Sequence, residues 1–181
     1  MAAPSMTCPF FNHTVVLLVE HGEDGALGFV VNRPTETPVT SLLDGDEDEE
    51  FSSKLEGEIW VGGPVAPDTG WVLFDPTSGG EEDEIECVEL GERVAVSASR
   101  TFLDLLAEGR GPTRYALLLG YAGWGPGQLD DEIREGSWIP IDLDPSLVFD
   151  APPQDRWRLA LATLGIDPAR VVGAAGGVAE A

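Results

Sequence analysis

TVVLLVEHGEDGALGFVVN, residues 14–32, decides the fold. Thr14–Glu20 is a short apolar run dominated by β-branched side chains and reads as a buried strand. His21–Gly25 is turn chemistry. Ala26–Asn32 reads as a second strand, so the two runs predict a β-hairpin. Pro34 follows and, having no N–H to donate, is expected to end regular pairing.

Outward from the hairpin, strands and helices alternate without a βαβ rhythm. Residues 35–57 read as a short helix or loop leading into an acidic segment, with six acids among the seven residues Asp44–Glu50. Glu58–Val61 reads as a strand broken by Gly62–Pro64, and Gly70–Phe74 as another. Pro76–Glu84 is a second Gly- and acid-rich loop, and Ile85–Leu90 and Arg93–Val96 can form strands around Gly91. Ser99 is placed to cap a helix running to about Glu108, with Phe102, Leu103 and Leu106 on its apolar face and Gly109 at its left-handed end. Arg114–Leu119 reads as a strand, Gly120–Gly127 (GYAGWGPG) as a glycine-rich turn, and Pro126–Glu135 as a helix with proline at its first position. Trp138–Leu143 reads as a strand. Pro152 and Pro153 open a last helix carrying Trp157, Leu161 and Leu164. The pattern is mixed α+β in one domain, residues 1–172, with a flexible tail over 173–181.

Composition restricts function. Thirty-three acids against ten bases give a formal net charge of −23. That field repels phosphate backbones and anionic membranes, and the arginines are too scattered to make a basic footprint. Direct nucleic-acid binding and membrane association are therefore disfavoured. Two cysteines, Cys8 and Cys87, make neither a disulfide framework nor a cysteine-rich zinc site. No base precedes Arg33 to form a secretory n-region, and Val15–Val19 is too short to cross a bilayer, so a cytoplasmic location is expected.

No catalytic constellation is legible. Glu20 and His21 are adjacent, and adjacent strand residues point to opposite faces, so the pair does not converge. Asp44, Asp46 and Asp48 have the opening spacing of a calcium loop, but its glycine position is Glu49 and its closing glutamate position is Leu55. The glycine turn matches no phosphate-binding fingerprint and is followed by Asp130, Asp131 and Glu132, which oppose an anion. Arg33 leaves a strand and reads as an internal anchor, with an anionic ligand as the other reading. No metal site or cofactor is implied, and the acids around Cys87 raise its pKa. If a site assembles, its candidate residues are Glu20, His21, Asn32, Arg33, Tyr121, Trp124 and Gln128.

Taken in order, APSM (3–6), PFFNHTVVLLVEHGEDGALGFVVNRPT (9–35), WVGGPV (60–65), GWVLF (70–74), LLLGYAGWGPGQLDDEI (117–133), GSWIPI (136–141) and LVFDAPPQDRWRLALATLGID (147–167) resemble the YqgE/AlgH family of bacterial proteins. The resemblance spans the chain outside its acidic loops. It implies a barrel-like mixed sheet with peripheral helices and no established enzymatic activity. The AlgH name implies a regulator of transcription. Members usually carry more chain before the APSM-like segment, implying either a misassigned start or a shortened first strand here. Many also have Cys before the Glu-His pair where this chain has Val19, which removes any thiol switch there. The function expected is a regulatory or interaction protein acting through a protein partner or a small ligand. The alternative is a small-molecule or nucleotide binding protein, or an enzyme, using the residues named above.

Overall fold

A computed structural model of the chain describes residues 1–43, 55–80 and 85–167. The Asp44–Glu50 run, the end of the Pro76–Glu84 loop and the tail over 173–181 lie outside them. Strand β1 (Val16–Gly22) and β2 (Gly25–Val30) form the expected hairpin. Its turn is only Glu23-Asp24, closed by Gly22 opposite Gly25, so His21 is the penultimate residue of β1 and not part of the turn. A bulge between Leu18 and Glu20 bends β1.

The remaining strands are β3 (Pro34–Pro38), β4 (Glu58–Val61), β5 (Val65–Phe74), β6 (Val88–Glu89), β7 (Ala95–Ser97) and β8 (Tyr115–Trp124). They order as β1-β2-β8-β5-β7-β6, with β3 on β4 and β4 parallel to β8; the other pairings are antiparallel. The sheet is mixed and curls into a nearly closed barrel-like core. Helices α1 (Arg100–Ala107), α2 (Gln128–Arg134), α3 (Pro145–Phe149) and α4 (Arg156–Thr163) lie at its periphery.

Strand alternation divides the core. Leu17, Phe29, Leu73, Val96 and Leu118 form one layer with Leu147, Trp157 and Leu161 of α3 and α4. Val72, Phe74, Ala95 and Leu117 face the other way, onto Phe102, Leu105 and Leu106 of α1. Phe102 is fully buried, a contribution of roughly 1.5–3 kcal/mol. The α1 helix ends as its sequence foretells. Gly109, at φ 72°, donates to Leu106 O, and Arg110 N–H reaches Leu105 O, satisfying two terminal carbonyls.

Several sequence expectations are corrected. The glycine-rich segment 120–124 is no turn. It is the second half of β8, pairing with β2 through Ala122–Trp124. Its glycines instead admit close backbone approach: a Cβ on Gly63 would stand 1.9 Å from the carbonyl carbon of Tyr121. Pro126 precedes α2, whose cap is Gly127. Pro34 begins β3, as proline can at a strand's first residue. Ser99 stands at the N-cap of α1 without a side-chain cap bond. Leu164 lies just past α4 and is exposed, whereas Arg156, at the start of α4, is buried. Trp138–Leu143 is not a strand; its only pairing is one bridge between Trp138 and Ala2.

Candidate functional site

The structure divides the residues the sequence singles out. On β1, His21 and Glu20 face opposite ways, as expected. His21 Nε2 lies 3.1 Å from Asp130 Oδ1 of α2, in a half-exposed pair. Glu20 lines a hollow of about 390 Å³ beside the hairpin turn, together with Glu23, Asp24, Val65, Tyr121 and Trp124. Asn32 and Arg33 line no part of it. Asn32 accepts from Val15 N–H and donates to His13 O, both at 2.9 Å. Arg33 donates to Asn12 O and lies over the Phe10 ring. Both clamp the segment that leads into β1. Gln128 accepts from Gly125 N–H and donates to Glu132, tightening the start of α2.

Glu132 organises the neighbourhood. Its Oε2 accepts from the indoles of Trp124 at 3.0 Å and Trp138 at 2.7 Å, and its Oε1 from Gln128 at 2.8 Å. One carboxylate thus fastens α2 to β8 and to the Trp138 segment. Phe11 packs against both tryptophans.

Beyond that fastening lies a feature the sequence did not single out. A mainly apolar cleft of about 210 Å³ runs along Val15–Leu18, at the start of β1. Leu129 and Ile133 of α2 line it on one side, and residues 138–144 on another. Leu18 and Leu143, on its lining, are 39% and 44% exposed. Polar character is confined to a few groups. Asp144 caps α3, accepting from the Ser146 hydroxyl and N–H, and these bonds hold its pKa below the usual carboxylate range. Asp142 is exposed beside it. The Met1 amine donates to Ile139 O at 2.9 Å, and burial pushes it down to about 6. The signal that marked this place was the apolar run Trp138–Leu143, which reads as a strand and finds no full partner.

Ionisable groups elsewhere serve the fold. Arg156 is 3% exposed, donates to the carbonyls of Ala151 and Val31, and lies over Trp60. Burial lowers its pKa to about 10, so it stays charged at neutral pH. Cys8 and Cys87 are free thiols; burial, then the Glu89 carboxylate, pushes Cys87 up. Among the described residues no cluster of three potential metal ligands occurs, and no helix is long and apolar enough to cross a membrane.

The AlgH-like (DUF179) family model matches residues 1–169. The chain belongs to the AlgH-like family. A UPF0301 protein of Anaeromyxobacter dehalogenans is 45% identical over 187 residues, covering 100% of this chain and 93% of the relative. A UPF0301 protein of Burkholderia thailandensis is 40% identical over 177 residues, covering 97% and 91%. The solution structure of the AlgH protein from Pseudomonas aeruginosa superimposes with a TM-score of 0.75 at 35% identity, covering 100% of this chain and 93% of that one. A crystal structure of a Corynebacterium diphtheriae protein, 23% identical with a TM-score of 0.72, covers 90% and 83% and shares the fold. The AlgH-like fold is thus common to chains that differ at more than half their positions.

Proposed function

We propose that this AlgH-like chain is a non-catalytic interaction protein of the cytoplasm, and that the cleft beside β1 receives an apolar segment of a partner. The carrying observation is the cleft itself: apolar walls, exposed leucines on its lining, and, among the described residues, no assembled acid, base or nucleophile. Concave apolar surface of this kind binds by excluding water. Asp142, Asp144 and a net charge of −23 favour a partner with basic residues flanking its apolar stretch. Free thiols at Cys8 and Cys87 fit a reducing compartment.

The test is methyl NMR with two capped peptides of identical apolar centre, one flanked by lysine and one by glutamate. Shifts at Leu18, Leu129, Ile133 and Leu143, larger for the lysine peptide, are expected. Silence at those methyls for both peptides would reject the cleft as the site.

A second reading rests on the hollow at the hairpin. Its volume and its lining by Glu20, Glu23, Asp24 and Tyr121 suit a small cationic ligand. Thermal stabilisation by a cationic metabolite, lost in Glu20→Gln and kept in Leu143→Asp, would favour it over the cleft.

A further inference from the structure

We draw no further inference here: the strongest candidate, the hollow beside the β1–β2 turn lined by Glu20, Glu23, Asp24 and Tyr121, is a cluster of carboxylates into which, among the described residues, no buried unpartnered polar side chain is aimed, so it carries nothing beyond the reading already given.

Discussion

Replacing Glu132 by alanine removes the acceptor of two buried indole donors. Trp124 and Trp138 are 7% and 6% exposed, so neither N–H can turn to bulk water. Each orphaned donor costs about 1–3 kcal/mol. Gln128 is exposed and rehydrates freely, adding little. Water entering the vacated space recovers part of the loss, which puts Glu132→Ala at roughly 2–4 kcal/mol of destabilisation. At this chain length that lowers Tm by roughly 5–15 °C. Glu132→Gln keeps an acceptor oxygen but loses the charge that strengthens both bonds, for about 1 kcal/mol. The fold already carries one buried indole, Trp71 Nε1, without a partner among the described residues, so tolerance for more is limited. The assay is urea denaturation at pH 7, comparing midpoints at unchanged slope. A double-mutant cycle with Trp138→Phe isolates the pair, and a coupling of about 1 kcal/mol or more is expected. Glu132→Ala within about 0.5 kcal/mol of the parent, or a coupling near zero, would refute the role assigned to this carboxylate.

Gly63→Ala sets a Cβ 1.9 Å from the Tyr121 carbonyl carbon, which only backbone displacement can relieve; a loss of at least ~3 kcal/mol is expected by thermal melting. Gly70→Ala, with open space around the new methyl, is the matched control and should stay within about 0.5 kcal/mol. Asp75 is 1% exposed; burial raises its pKa, but bonds from Thr77 and Arg93 outweigh that and hold it below the ordinary value. A depressed folded-state pKa gives stability that is present above the unfolded value near 4 and is lost as pH falls through the folded one. The stability gap between the parent and Asp75→Asn should therefore be constant from pH 5 to 8 and close below about pH 4; a gap that widens on acidification contradicts the assignment. Asp130→Asn breaks only a half-exposed pair with His21 and should move stability by less than ~0.5 kcal/mol, checked by the same melts.

The hairpin, β4, the α1 helix and the last helix were legible because each is announced locally, by β-branched runs, turn residues or helical spacing. The glycine segment misled because glycines permit two things. They allow a turn, and they equally allow two backbones to touch, as Gly62 and Gly63 do against Gly120 and Tyr121. One sequence cannot tell these apart, since the contact joins segments some sixty residues apart. Pro34 misled for a related reason: a missing donor ends pairing inside a sheet but is harmless at a strand's first residue. Of the candidate site residues, Glu20, Tyr121 and Trp124 do share a hollow, and His21 does face the other way. Asn32 and Arg33 looked available in sequence because their acceptors are main-chain carbonyls, which no side-chain motif records, while Gln128 is taken by Glu132 one turn along its own helix.

What the polar groups do here bears on the kind of function the fold can have. Asn32, Arg33, Gln128, Glu132 and Arg156 each spend their hydrogen-bonding capacity on another part of the same chain. A reaction centre needs side chains held in place with capacity left over for substrate. In the cleft, among the described residues, the surplus is of another kind: apolar side chains on a concave surface. Such side chains bind by excluding water and need no group held ready for chemistry.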